Sequence, residues 1–361
     1  MDTETLFAHA LNTIPELGPL RMRSLKNYCG SFTEAWHSPR IRIEEALENK
    51  KIAHSVCQKR KNISPEHLWK DITSSDITVL LPDSSLYPRR LHTIPAPPQI
   101  LYLKGILPAE DTPAIAVVGT RHPTQYGKDM CDNIVRDLSH AGICIVSGLA
   151  IGIDARTHMA SLDASGHTIA VVGSGLHQNV LYPASNRKLA DAILSSGGAI
   201  ISEYPPSLRA ATWTFPQRNR IIAGISDATL VIEARKQSGT RITANYALEY
   251  GRDIFAVPGP VYSLYSETPH MLIKEGAGLV TSADDILSTL PGYTPPISTT
   301  SSVDTLSSEE HLMLSLLSEP RTINDLVHAT KKSSADITRI ISMLEIGGKI
   351  KNNGAGTYHN V

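Results

Sequence analysis

Long apolar runs are missing from this sequence. None approaches the ~18 residues that a membrane-spanning helix needs, so no such span is expected. The opening stretch MDTETLFAHALN starts acidic and has no long apolar core. No secretory signal peptide is expected from it, and a cytoplasmic location is. Net charge is nearly absent too: 34 Lys and Arg against 35 Asp and Glu leave −1. With no global basic field, any binding of nucleic acid must come from a local patch. Cysteine is scarce. Cys29, Cys57, Cys131 and Cys144 have no metal-type or redox-type spacing and read as reduced thiols, with Cys144 buried inside an apolar run. At 361 residues, 41% hydrophobic and 19% charged, the chain is long enough for two or three ordinary globular domains.

One local absence is more telling. No acidic residue lies between Glu203 and Asp227, whereas Arg209, Arg218 and Arg220 do. Within that window FPQRNRIIAG sets an aromatic and two guanidinium groups against an apolar stretch.

The pattern along the chain changes four times. Residues 1–70 read as short helices, and IPELGPLRMRSLKNYCGSFTEAW resembles a SAM-like or helix-hairpin-helix unit. Its turn has a single glycine, which argues for packing or partner contact over phosphate binding. Residues 71–112 are punctuated by proline and read as extended pieces and turns. From there the apolar runs 114–119, 143–148, 168–173, 199–203, 228–234 and 253–259 recur, most of them separated by helix-length stretches. Continuous Val, Ile and Ala runs suit parallel strands covered on both faces. The alternation predicts an α/β fold, a doubly wound Rossmann-like sheet within residues 71–290. Residues 291–307 are rich in Pro, Ser and Thr and read as a linker. Residues 308–361 read as three helices and a hairpin, a winged helix. That tail carries six basic and six acidic residues, a balance that favours protein contact or a structural role over reading duplex DNA.

Ligands bind outside the carboxyl ends of parallel strands, so the loops after each strand carry the chemistry. The first loop, Gly119-Thr120-Arg121, offers backbone N–H groups and one guanidinium but lacks the dinucleotide fingerprint, and no cofactor is expected. In SGLAIGIDARTH, Asp154 and His158 share a helical face. A metal pair there lacks a third ligand; a helix cap and an ordinary polar pair are expected, and no metal. Tyr182-Pro183 and Asn186 suggest an ordered loop before a helix. Ser238-Gly239-Thr240 opens a helix, where N–H groups favour an anion. Guanidinium groups for phosphates beside Phe215 for a base form the pairing used for single-stranded nucleic acid. Arg218 and Arg220 as helix-surface residues, with Phe215 in the core, is the blander alternative.

VVGTRHPTQYG, SGLAIGIDARTH, TIAVVGSGLHQNVLYPASNRKL, ISEYPP, FPQRNRIIAGIS, VIEARKQSGTRITANYALEYGRDIFAVPG and LIKEGAGLV run in order from residue 117 to residue 280. Together they closely resemble the DprA/Smf family of bacterial DNA-processing proteins. The resemblance implies binding of incoming single-stranded DNA during natural transformation, protection of that DNA, loading of the RecA recombinase and a homodimer through the Rossmann-like domain. It implies no catalytic residue. Its DNA pocket would comprise Gly119, Thr120, Arg121, Phe215, Arg218, Asn219, Arg220, Ser238, Gly239 and Thr240. The chain departs from the family pattern at Thr268 and His270. The rival is an enzyme, because the same loops are similar to those of nucleoside-monophosphate phosphoribohydrolases. Aligning their Gly-Thr on Gly239-Thr240 puts Thr243 at the position of the glutamate that serves N-glycosidic cleavage. A threonine has no carboxylate for that work. Glu203 and Glu233 would have to substitute.

Overall fold

The computed structural model of the chain describes residues 2–290, 307–352 and 356–360. Two compact units are present, Met1–Tyr293 and Thr294–Val361.

The first unit opens with six helices: α1 Thr3–Asn12, α2 Pro19–Cys29, α3 Phe32–His37, α4 Arg40–Leu47, α5 Lys50–Arg60 and α6 Pro65–Ser74. Local chemistry sets their ends. Asp2, Ser31, Asn49 and Ser64 accept backbone N–H groups at four helix starts, and proline begins α2 and α6.

The strands follow: β1 Thr78–Leu80, β2 Leu101–Gly105, β3 Ala114–Val118, β4 Cys144–Ser147, β5 Thr168–Val171, β6 Ala199–Ser202, β7 Ala228–Val231, β8 Asp253–Ala256 and β9 Gly278–Leu279. The six strands expected from the apolar runs are β3 to β8. Between and after them lie α7 Gln125–His140, α8 Ile153–Asp163, α9 Arg187–Ser195, α10 Thr214–Ile225, α11 Gly239–Glu249, α12 Glu267–Lys274 and α13 Asp284–Leu287. The sheet order is β1-β2-β6-β5-β4-β3-β7-β8-β9. From β6 to β9 every pairing is parallel; β2 joins β6 and β1 joins β2 in antiparallel fashion.

The chain therefore steps outward from β3 through β4 and β5 to β6, then returns to the other side of β3 as β7. Strand order reverses between β3 and β7, which makes the carboxyl ends of those two strands the switch point. The side-chain period of two sorts each strand onto two faces. Ile115, Val117 and Ile145 pack with Cys131, Ile134 and Leu138 of α7. Ala116, Val118 and Val146 pack with Ile221, Ile222 and Ile225 of α10.

The N-terminal helices share a core with this sheet. Leu11, Met22, Phe32 and Ile43 belong to the same buried cluster as Tyr102, Ala170, Val172 and Ile200. Tyr102 is fully buried, its hydroxyl 2.7 Å from His9 Nδ1 and accepting from Asn12 (3.2 Å); Asn12 also donates to the Glu203 carbonyl (3.1 Å).

The second unit holds α14 Ser308–Leu316, β10 Arg321–Thr322, α15 Ile323–Thr330, α16 Ser334–Ile346, β11 Ile350–Asn352 and β12 Thr357–Asn360. Its sheet runs β10-β12-β11, antiparallel throughout. Capping boxes, Ser307 with Glu310 and Thr322 with Asp325, start α14 and α15. Met313, Leu326, Ile337, Ile341 and Leu344 form its core. Residues 291–306 of the expected linker and 353–355 of the expected hairpin turn lie outside the described residues.

Candidate nucleic-acid interface

A cleft of about 370 Å³ opens at the switch point. Val118 to His122 form one wall, following β3; Arg235 and Gln237 to Thr240, following β7, form the next; Phe215, Arg218 and Asn219 of α10 roof it. Nine of the ten expected site residues line this single cleft: Gly119, Thr120, Arg121, Phe215, Arg218, Asn219, Ser238, Gly239 and Thr240.

Close backbone approach shapes the floor. A side chain on Gly152, which has φ +86°, would strike the backbone of Thr120 and Arg121. A Cβ on Gly148 would lie 2.6 Å from Asp154 Oδ2 and 2.7 Å from Arg218 Nη2. Glycine at 152 lets the loop after β4 meet the loop after β3, and glycine at 148 leaves room for Asp154 and Arg218.

The arginines split into two kinds. Arg121 is exposed, and its guanidinium carbon lies 5.6 Å from the Phe215 ring centroid. Arg218 is buried. Its Nη1 donates to the Gly148 carbonyl (2.7 Å) and to the Val171 carbonyl, so it fastens α10 across the ends of β4 and β5. Burial pulls its pKa down to about 10, opposed by neighbouring Asp154, and it remains charged at neutral pH. Asp154 in turn is raised by its own burial, and Arg218 counters the rise. The expected cap role of Asp154 does not hold: Gly152 is the N-cap of α8, with no side-chain cap hydrogen bond, and Asp154 lies inside the helix, where it accepts from the preceding loop's Ala150 N–H at 3.4 Å.

Arg220 is a correction. It does not line the cleft; it is buried, ion-paired with Glu203 and donating to the Ala96 carbonyl (2.7 Å). The reason is helical geometry. Residues two apart on a helix point to nearly opposite sides, so Arg218 and Arg220 cannot both face one cleft.

Phe215 stands half-buried on the first turn of α10 and outside the apolar cores, with Tyr182 5.5 Å away at a 50° tilt. The helix begins at Thr214, two residues before Pro216. Proline is tolerated there because first-turn N–H groups have no intrahelical acceptor. Ser238 caps α11, accepting from Thr240 N–H (3.2 Å), and Asn219 donates to the Gly239 carbonyl (3.3 Å), joining α10 to that helix start. Asn186 anchors the Tyr182-Pro183 loop through the Leu149 and Ala150 carbonyls (2.9 and 3.2 Å).

The carboxylates the enzyme reading needs are already engaged. Glu203 is held by Arg220, and burial raises its pKa. Glu233 accepts from Thr124 N–H (2.9 Å) and Thr124 Oγ1 (2.6 Å). Thr243 lines the cleft in the place that reading assigns to a glutamate. His158 is buried with Nδ1 2.7 Å from Thr168 Oγ1, and burial drives its pKa down to about 3. Among the described residues, no group of three or more His, Cys, Asp or Glu is arranged to hold a metal ion. Nor is any helix among them long and apolar enough to cross a membrane.

The family model described as DNA recombination-mediator protein A matches residues 78–291. The chain belongs to this family. The match runs from β1 to just past α13 and contains the whole cleft. Protein Smf of Synechocystis is 36% identical over 294 residues, 80% of this chain and 73% of that protein. DNA processing protein DprA of Bacillus subtilis is 41% identical over 218 residues, 59% of this chain and 72% of that one. The X-ray structure of DprA from Streptococcus pneumoniae superposes with a TM-score of 0.70 at 32% identity, covering 80% of this chain and 98% of that one. The DprA structure from Helicobacter pylori, described for its single-stranded DNA binding mode, gives 0.53 at 28% identity, covering 59% and 94%. The DprA/Smf family to which the chain belongs includes proteins described as DNA processing proteins.

Arg235, Gln237 and Tyr265 also line the cleft, beyond the residues expected from the sequence. Arg235 and Gln237 were within reach, since they directly precede the Ser-Gly-Thr helix start. Tyr265 was not, because it arrives from the segment after β8, and nothing local marks it.

Proposed function

We propose that this chain binds single-stranded DNA in the switch-point cleft, protects incoming strands and loads the RecA recombinase during natural transformation. The carrying observation is the exposed Arg121 over Phe215, beside the Ser238-Gly239-Thr240 helix start. A guanidinium and N–H groups suit phosphates, and a half-buried ring suits a base; neither reads sequence. Membership of the DprA/Smf family and the single-strand binding described for the H. pylori protein support the same reading. The cleft is read as binding rather than catalytic: its neighbouring carboxylates are tied up, and Thr243 replaces the needed acid.

We read the assembly as a homodimer through the sheet-bearing unit. Val261, Tyr262 and Leu279 are exposed apolar residues on and beside the last strands, and a symmetric pair would let one strand engage two clefts. The element order of α1 to α6 supports a SAM-like module, and that of α14 to β12 a winged helix. The cytoplasm, where such DNA meets RecA, is the expected location.

The test is a pair of curves on Phe215 variants, poly-dT titration and thermal unfolding. Phe215→Ala should cost about 1–3 kcal/mol of binding, and Phe215→Trp should retain most of it. A large fall in melting temperature with wild-type affinity at low temperature would make Phe215 a core residue instead.

A further inference from the structure

The cleft holds a second arginine–aromatic pair besides Arg121 and Phe215. Arg235 lies with its guanidinium carbon 4.6 Å from the Tyr265 ring centroid, and its Nη2 donates to the Tyr265 hydroxyl (2.9 Å). Both residues line the cleft. Arg235 is exposed and has no ion pair among the described residues, whereas Arg90, Arg156 and Arg220 are paired with Asp227, Asp132 and Glu203.

The pair is built, not adventitious. Ala234 N–H donates to the Tyr265 carbonyl (2.8 Å), and Thr268 N–H donates back to the Ala234 carbonyl (3.1 Å). Thr268 is fully buried, and its hydroxyl donates to the Arg235 carbonyl (2.7 Å). Glu267 accepts from Lys236 N–H (3.1 Å). The segment with the departure at Thr268 is thus the strut that fixes the backbone of Arg235. A cation held by an aromatic ring and a hydroxyl, with no carboxylate partner among the described residues, is pre-organised for an anion.

We infer that Arg235 is a second phosphate subsite, taking the phosphate of a nucleotide adjacent to the one whose base meets Phe215, and that Tyr265 is the positioning residue that orients it. The inference rests on the single-strand reading. It assigns the cleft at least two successive nucleotides of one strand, spanning from the loop after β3 to the loop after β7.

The experiment is anisotropy titration of labelled dT12 across a salt series, with thymidine monophosphate as a competitor reporting one subsite. Arg235→Ala should lower dT12 affinity roughly tenfold or more at low salt. It should flatten log K against log salt by about 0.7, and leave competition by thymidine monophosphate unchanged. Tyr265→Phe should keep the slope and lose about fivefold in affinity, since it removes only the orienting hydroxyl. Thermal unfolding of both variants should match wild type. If Arg121→Ala and Phe215→Ala weaken dT12 binding while Arg235→Ala leaves affinity and slope unchanged, the second subsite is overturned and the single-strand reading stands. If wild type fails to bind dT12, both fall. A loss of melting temperature that accounts for the loss of binding would make Arg235 structural and overturn the subsite.

Discussion

Three arginines expected in one role have three. Arg121 is free to meet a phosphate, Arg218 is fastened to the Gly148 and Val171 carbonyls, and Arg220 is locked to Glu203. Arg121→Ala should therefore flatten the salt dependence of single-strand binding by roughly 0.7 and leave stability within about 0.5 kcal/mol. Arg220→Ala should do the reverse. It leaves Glu203 buried without its partner, at a cost of about 3–5 kcal/mol in chemical denaturation, with an unchanged salt slope for the protein that remains folded. The presence of arginines near an aromatic was legible in FPQRNR; their fates were not. Composition does not say which side of α10 meets the strand ends, although the two-residue spacing already forbade a shared face.

Buried histidines give a second residue-level test. Burial holds His158 at about 3 and His9 at about 4, both below the ordinary value of 6.5. The native state thus binds fewer protons there than the unfolded chain. Their contribution to stability is full above pH 6.5 and is lost as pH falls from there through the folded values. Urea unfolding should show a loss of up to ~1.4 kcal/mol per pH unit per histidine between pH 6 and pH 4.5. His158→Gln cannot titrate and should shed its share of that slope. An equal slope in the variant would mean that His158 is already protonated in the native state.

At the scale of elements, the parallel core was the most legible part. Six largely apolar runs became β3 to β8, because strands covered on both faces are apolar over most of their length. The edges were not legible. β1 and β2 sit in a proline-punctuated stretch, and β9 is only two residues long, so neither carries enough pattern to declare itself. The start of α10 is not marked by a single residue either. Pro216 marks a first turn, but Thr214 opens the helix, with its hydroxyl bonded to the Ala211 carbonyl (2.8 Å) and its own carbonyl accepting from Tyr204 (3.0 Å). Tyr204, ten residues back, lies outside any local motif. The turn after β4 should be intolerant of side chains. Gly148→Ala would push into Asp154 and Arg218 and should destabilise by about 1–3 kcal/mol, measured by thermal unfolding. Wild-type stability in that variant would mean that the Arg218 anchor is not rigid.

For the whole molecule, the shared core of α1 to α6 with the sheet sets what can be cut. Removing residues 1–70 would strip Leu11, Met22 and Phe32 from a cluster that also holds Tyr102 and Ile200, and the remainder should be insoluble or molten. Truncation after Leu290 leaves that cluster intact, and the shortened protein should unfold cooperatively and dimerise by light scattering at micromolar concentration. A stable, monomeric, well-folded product from the first cut would refute this division. The sequence suggested a boundary near residue 70 because composition changes there. The packing that bridges it involves pairs such as His9 with Tyr102, 93 residues apart, which no local pattern reports.

The central claim is that a nearly neutral chain concentrates its affinity for single strands in one cleft. Fluorescence anisotropy of the full chain with labelled poly-dT and a matching duplex, across a salt series, tests it most directly. The account predicts tighter binding of poly-dT at every salt concentration, with a slope that Arg121→Ala reduces. Duplex bound as tightly as poly-dT or more tightly, with Arg121→Ala leaving the poly-dT slope unchanged, would contradict it.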